Sequence, residues 1–551
     1  MIGRRGNDIH SLQLDQKLAS GARFKRRFYH GSFISDNKLY IDGGEETGSV
    51  DGDNLINRLN STLAIDLTKP FNTSRGNGPE VQAIDKGSCP LLNYVNFWVD
   101  PSGAAYAYGG EWSSLGEASN DPLPAESLWT FKPSETGGKW TSVDLSADQT
   151  WSSLTRPAKG LSAYGASGGF NLGGISSSHT SPKTSGLSGD IPDPGLQFFD
   201  FDSRNWTNST TEYSNTGTAV YGGMVYVPTW GSSGLLVAMG GQEAVSLSSF
   251  TENENLLSMD SVAVFDVAGA KWYHQPVSGD VPSDRDRFCV VGVQDSSNST
   301  YALNRGLFNE GYAVENSKRD EVFVLSLPSF TWSKADYNSS DPRIYHTCHG
   351  VGRYLLSIGG VDPSKTSSDE AFADDDLYEQ GIKVFDMTTM QWLDEFKADG
   401  ASYQKPVVVS SRIAATPAPT SWADDQLRQL FEKSDIETAT PAAQQSSGSS
   451  RISAGAIVGA AVGGFAGVAI ICLLMFFWRK RMLGARKNTS GGVRPSELSA
   501  VEAAKHEMPG DSEQPAELGD AGTQKPAELS TTFDHHELAG SEPFVERHEM
   551  A

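Results

Sequence analysis

A net charge of −24 argues against a nucleic-acid partner for this 551-residue chain. A hydrophobic content of 38% is enough for a large core, and four cysteines with no C-x-x-C exclude a disulfide-built scaffold. Residues 1–23 are polar and lack the apolar run of a signal peptide. Set against the membrane span read at 454–478, the N-terminus is expected to be incomplete or misassigned. Alternatively, the stretch around Leu12 and Leu14 supplies a closing strand to the folded domain.

From residue 24 onward a phrase recurs. An apolar strand ends in two adjacent glycines at YIDGG (40–44), YAYGG (106–110), NLGG (171–174), VAMGG (237–241) and LLSIGG (355–360). The pairs are Gly43 and Gly44, Gly109 and Gly110, Gly173 and Gly174, Gly240 and Gly241, and Gly359 and Gly360. Their first members are 66, 64, 67 and then 119 residues apart. The long last step spans two periods, and YALNRG (301–306) stands in its middle with only Gly306 left of the pair. A fixed period of this kind sets the architecture before any other signal. Each copy continues with a β-rich run: LAIDL (63–67), LWTFK (128–132), LQFFDFD (196–202), VAVFDV (262–267), VFVLSL (322–327) and IKVFDM (382–387). A lone aromatic follows each run: Phe71, Trp140, Trp206, Trp272, Trp332 and Trp392. Three copies open on an Arg-led strand, RRFYHG (26–31), RFCVVG (287–292) and RIYHTCHG (343–350). Each unit reads as four antiparallel strands.

On the diglycine, the apolar strand with its Asp and the following Trp, residues 24–400 resemble the kelch β-propeller family. The resemblance implies an all-β domain of six blades, with the Trp filling the space between neighbours. The first copy departs from the pattern in Phe71 and the fifth in its missing diglycine.

The segments after the diglycines (45–61, 111–126, 242–260 and 361–380) are long and acidic. The last holds Asp369, Glu370, Asp374, Asp375, Asp376 and Glu379. One reading is a recognition face for a cationic or polyhydroxy ligand, with or without Ca²⁺. The other, preferred, is solvated loops on an acidic protein. Trp112 and Trp230 serve either as sugar-stacking surfaces or as core. Cys289 and Cys348 fall in first strands of adjacent units, as buried free thiols or, less favoured, as a disulfide.

A galactose-oxidase-like radical copper enzyme, a relative of this fold, needs two His, two Tyr and a Cys near the axis. His30, Tyr345, His346, Cys348 and His349 are the candidates. His30 and His346 share one place in the repeat, R-x-x-H, which points to a structural role. The copper-ligand pattern is not matched, and there is no clear H-E-x-x-H, phosphate loop or nucleophile elbow. No catalytic, cofactor or metal residue is assigned.

Residues 401–453 read as a Ser/Thr/Pro-rich stalk. Ser421 and Asp424 read as a capping box that opens one short amphipathic helix carrying Leu427, Leu430 and Phe431, packed on the domain's underside or lying near the membrane. Residues 454–478 are 25 residues without a charge, long enough for a transmembrane helix. A basic juxtamembrane segment (479–494) follows, with Arg479, Lys480, Arg481, Arg486, Lys487 and Arg494. The positive-inside rule places the C-terminus in the cytoplasm and the propeller outside or in the lumen. Gly455, Gly459, Gly463 and Gly467 form overlapping G-x-x-x-G units, which predict a homodimer through the span. Residues 495–551 are acidic, without periodicity, and are expected to be a disordered cytoplasmic tail. Six N-x-S/T sequons precede the span, at Asn60, Asn72, Asn205, Asn208, Asn298 and Asn338. This order of parts resembles fungal single-pass membrane proteins with a kelch ectodomain. It implies a plasma-membrane or secretory-pathway protein that recognises a protein or carbohydrate, contacts the wall or scaffolds polarity. The alternative is a membrane-tethered copper oxidase.

Overall fold

The computed structural model describes residues 24–50, 53–113, 122–244, 255–295, 303–309, 320–338, 341–365 and 368–432. All lie within one compact unit, Met1–Thr440. The chain there is mostly β-strand, in small antiparallel sheets. The first sheet takes Gly31–Ser35, Lys38–Asp42, Ser61–Asp66 and Val81–Asp85. The second takes Asn96–Val99, Ala105–Tyr108, Leu128–Ser134 and Gly137–Val143. The third takes Leu161–Tyr164, Gly168–Leu172, Leu196–Asp200 and Trp206–Ser209. The fourth takes Gly223–Val227, Leu235–Met239, Ser261–Asp266 and Lys271–Pro276. The fifth takes Cys289–Gln294, Leu303–Asn309, Glu321–Ser326 and Thr331–Lys334, with Ser278–Gly279 added in parallel at its edge. The sixth takes Thr347–Val351, Tyr354–Ile358, Ile382–Asp386 and Gln391–Leu393. Strands follow chain order in every sheet, so the diglycine loops and the segments that enter the first strands share one edge.

The six first strands adjoin in sequence order, and the sixth adjoins the first, which makes a closed cycle. The second strands Gly168–Leu172, Leu235–Met239 and Tyr354–Ile358 are buried at every position, because their sheets are covered on both faces. Apolar side chains from each pair of neighbours merge into a shared core. Trp140 packs with Phe33, Tyr40 and Phe131 between the first two sheets. Trp206 packs with Trp98 and Tyr108 between the second and third. Trp272 lies between the third and fourth, and Trp332, fully buried, between the fourth and fifth. Trp392 is half-buried against the core of the fifth and sixth. Phe71 closes the cycle: it joins the core shared by the first and sixth sheets and stacks on Phe396 at 5.1 Å. Backbone pairing of Phe71–Asn72 with Glu395–Phe396 reinforces this seam.

Three expectations are corrected. The Arg-led strands are broken. Tyr29, Arg287 and Tyr345 take left-handed φ of 60°, 57° and 59°, and the first strands begin only two residues later. Arg26 and Arg27 belong instead to an extra strand, Phe24–Phe28, which pairs with Glu45–Val50. The segment 45–61 is thus partly a β-hairpin, since Glu45–Val50 also pairs with Asp53–Arg58. Lastly, within the segment read as a stalk, the short helix packs on the β domain, one of the two places expected for it, and the packing extends back to residue 403. Tyr403 and Val409, the latter in the helix Val407–Ala415, enter the core of the fifth and sixth sheets.

The helix Asp425–Glu432 buries Leu427 and Phe431 on the edge opposite the diglycine loops. Asp424 caps it, its carboxylate accepting from the Gln426 N–H at 2.6 Å. The buried Gln275 side chain holds the approach, donating to the Ser421 carbonyl and accepting from Ala423 N–H, both at 3.0 Å. Among the described residues no helix is long and apolar enough to cross a membrane. The readings for 1–23, Asn298, the span with its glycines at 455, 459, 463 and 467, the basic segment and the tail lie outside the described residues.

Candidate functional site

The sequence repeat culminates in six equivalent positions around the axis of the cycle. In each sheet, the residue two before the first strand adopts left-handed φ: Tyr29, Tyr94, Lys159, Tyr221, Arg287 and Tyr345, with φ between 57° and 66°. Such a conformation is costly for non-glycine residues and persists only where the surroundings enforce it. The enforcement comes from the diglycines. The N–H of Gly44 donates to the Leu92 carbonyl at 2.9 Å, that of Gly110 to Pro157 at 2.9 Å, and that of Gly174 to Ala219 at 3.0 Å. Gly241 reaches Arg285 at 2.8 Å, and Gly360 reaches Arg27 at 2.7 Å. Every acceptor lies two residues before a left-handed axial residue of the next sheet. The axial residues also bond to one another: Tyr94 N–H to the Tyr29 carbonyl at 2.7 Å, Tyr221 to Lys159 and Arg287 to Tyr221 at 2.8 Å.

Their side chains meet as a floor across the axis. Tyr29 lies 4.7 Å from Tyr94 and 4.8 Å from Tyr345 between ring centroids, and Tyr221 lies 6.0 Å from Tyr345. The Arg287 guanidinium sits 4.4 Å over Tyr221 and 5.4 Å over Tyr345, whose hydroxyl accepts from Arg287 Nε at 2.8 Å. The Lys159 ammonium lies 5.3 Å from the Tyr94 centroid and 3.1 Å from Glu111. Burial raises the Tyr29, Tyr94 and Tyr345 pKa values, so all three stay protonated. Burial by itself would lower Lys159 and Arg287. The Glu111 carboxylate reverses this for Lys159, and Tyr345 with Asp286 reverses it for Arg287, so both are raised.

This floor separates two spaces. On the first-strand side is a cavity of about 580 Å³, walled by the first strands of all six sheets. On the diglycine side is a smaller chamber of about 300 Å³. All six floor residues line both. The chamber walls include the residue after a diglycine three times: Glu45, Glu111 and Ile175. Glu45 is 1% exposed; its Oε1 accepts from Asn93 Nδ2 at 2.8 Å, and its Oε2 meets no hydrogen-bond partner. Burial raises the pKa of Glu45 and of Asp190, another wall residue.

In the acidic segment 361–380, Asp376 is buried, while Asp374 and Asp375 are partly exposed and ion-paired. Asp376 is 2.7 Å from Arg343; Asp374 is 3.0 Å from Lys365 and 3.7 Å from Arg26; Asp375 is 3.2 Å from Lys25. These pairs hold the short helix Ser368–Ala373, whose Phe372 stacks on Phe28 at 4.3 Å and lines the chamber. Trp112 is half-buried in the chamber wall with the Arg58 guanidinium 4.2 Å from its ring. Trp230, read as either a sugar-stacking surface or core, is 2% exposed and packs on Phe431 at 4.8 Å. Asn72, Asn205, Asn208 and Asn338 are exposed. Asn60 is half-buried, and the Thr62 of its sequon is buried.

The candidate copper residues His30, Tyr345, His346, Cys348 and His349 all line the larger cavity. His30 Nε2 bonds to Thr347 Oγ1 at 3.0 Å, and His349 Nε2 to Ser32 Oγ at 2.8 Å. Cys348 is in a disulfide with Cys289, against the preferred reading of free thiols. Their strands are neighbours around the axis, which brings the two Cα atoms to 5.9 Å. Among the described residues no three His, Cys, Asp or Glu side chains form a metal-binding group.

Of the floor, the sequence reading singled out Tyr345 alone. The missed signal was its period: each floor residue stands two before an innermost strand, but its identity changes between Tyr, Lys and Arg, so it does not look like a repeat.

No protein-family model matches the chain. A Kelch repeat-containing protein from Arthroderma benhamiae is 25% identical over 436 residues, covering 72% of this chain. The chain spans 61% of the length of that relative. The similarity supports the kelch-repeat reading.

Proposed function

We propose that residues 24–400 form a six-bladed kelch-type propeller that works as a non-catalytic recognition module, displayed outside the cytosol by a single-pass membrane anchor at 454–478. The observation that carries the recognition reading is the closed cycle of sheets, with a polar chamber opening among the long diglycine loops. Loops on a rigid scaffold are where binding residues concentrate. The Kelch repeat-containing relative agrees with it, and kelch repeats generally mediate protein binding. The disulfide fits an oxidising compartment. The charge-free span and the basic residues after it orient the propeller outward. The partner is a protein or carbohydrate at the cell surface, in recognition, wall contact or polarity; the span glycines support a homodimer.

The test is cross-linking on intact cells with a membrane-impermeant, amine-reactive reagent and the full-length chain. Cross-links to partners are expected at Lys183 and Lys365, in the diglycine-side loops. Cross-links confined to Lys139 and Lys271, at the opposite edge, would overturn the recognition face. A chain that the reagent does not label at all would overturn the outward display.

A further inference from the structure

The ligand class of the chamber follows from its charges. Three carboxyl groups, on Glu45, Glu111 and Asp190, line it and would repel a phosphate or carboxylate. An organic cation would need the tyrosine faces of the floor. Lys159 already lies against Tyr94, and Arg287 against Tyr221 and Tyr345, so an incoming cation meets like charge there. A wholly apolar ligand would leave Glu45 Oε2 buried without a donor. What remains is a neutral molecule that carries hydroxyl donors and has an apolar face for an aromatic wall.

We propose that the chamber binds one neutral sugar ring, with Trp112, on the ring face that Arg58 does not cover, as the stacking wall and Glu45 as the hydroxyl acceptor. This deepens the recognition reading and rests on it. Asn93 and Ser113 both hydrogen-bond the Glu45 carboxyl, Asn93 through Oε1 at 2.8 Å, and Oε2 is the atom left to receive a sugar O–H. The Lys159–Glu111 pair, 3.1 Å apart, offers a donor and an acceptor side by side, which suits the vicinal hydroxyls of a pyranose. A volume of about 300 Å³ is at the small end for ligand sites and suits a single ring rather than a chain. Asp190 and Trp112 line the same chamber and are half-buried.

The ring could arrive as a free monosaccharide or as the terminal unit of a glycan. Full-length protein in mild detergent is mixed with glucose, mannose, galactose and N-acetylglucosamine, and separately with the methyl glycoside of each. Binding is read by saturation-transfer NMR and by tryptophan fluorescence titration. At least one sugar is expected to bind. Glycosides that bind as well as the free sugar would assign a glycan terminus, and glycosides that fail would assign the free sugar. Trp112→Ala and Glu45→Gln should each weaken binding at least tenfold, while Val407→Ala, far from the chamber and exposed, should not. Because Glu45 is buried, the half-buried Trp112 provides the arm least exposed to a folding defect, and circular dichroism checks both variants. No binding by any of the eight compounds, or equal binding by wild type and Trp112→Ala, overturns the sugar assignment. If cross-links still fall at Lys183 and Lys365 in that case, the recognition face stands and only the ligand class falls.

Discussion

The N–H of Gly360 donates to the carbonyl of Arg27 at 2.7 Å, tying the sixth sheet to the segment that enters the first. It closes a series of like bonds, so a local signature in the sequence performs a long-range task. The position tolerates only glycine. Its φ is 95°, and a Cβ would lie 2.8 Å from the Ile344 carbonyl oxygen. Gly360→Ala is therefore expected to destabilise the domain by about 1–3 kcal/mol. Gly186→Ala, where a Cβ meets nothing within 4 Å and no positive φ is needed, should stay within about 0.5 kcal/mol of wild type. Urea unfolding followed by tryptophan fluorescence compares them, and equal midpoints would refute the role given to Gly360.

Acid should loosen the same seam. Burial lowers His346 to about 3 and His349 to about 4, and lowers His30, with Arg27 adding to the effect on His30 and Arg343 and Lys383 to that on His346. In the unfolded chain these residues titrate near about 6.5. Between that value and the folded values, the unfolded state binds more protons. Stability is then fully present above about pH 6.5 and falls as pH drops toward 4, by at most about 1.4 kcal/mol per pH unit for each histidine. Urea midpoints measured from pH 7.5 to 4 should show the decline. His349→Gln, which keeps a polar group for Ser32, should flatten it; an unchanged slope would mean that His349 is not held neutral.

How much was legible depended on whether a residue's task was repeated as an identity or only as a position. The diglycines and the aromatics ending at Trp392 repeat as letters, because a backbone approach and an inter-sheet gap accept few side chains. The third strands 261–266 and 382–386 were likewise visible in VAVFDV and IKVFDM. The floor repeats only as a backbone conformation, which Tyr29, Lys159 and Arg287 satisfy with different side chains. Asp376 was misread for another reason. A carboxylate that balances Arg343 in the core looks, as a letter, the same as one in solvent. Trp230 was ambiguous because its cover, Phe431, arrives from far along the chain on a helix read as part of a stalk.

The pairing of Cys289 with Cys348 offers a test of where the β domain resides. The bond joins the first strands of the fifth and sixth sheets across 59 residues of sequence. A cross-link of that span restricts the unfolded chain and contributes about 2–4 kcal/mol, so the double variant Cys289→Ser with Cys348→Ser should lose about that much. Cys89 is buried, with its pKa pushed up by burial to about 12, and has no partner thiol among the described residues. Cys472 falls in the charge-free stretch 454–478. Protein taken from cells, denatured without reductant and alkylated, should therefore be marked at Cys89 and Cys472 and spared at Cys289 and Cys348. Disulfides persist in secretory and extracellular compartments and are rare where glutathione and thioredoxin keep thiols reduced. Full alkylation of all four cysteines would show that the native chain carries no disulfide. The compartment argument for the proposed display outside the cytosol would then fall with it, leaving the charge distribution around 454–478 to stand alone.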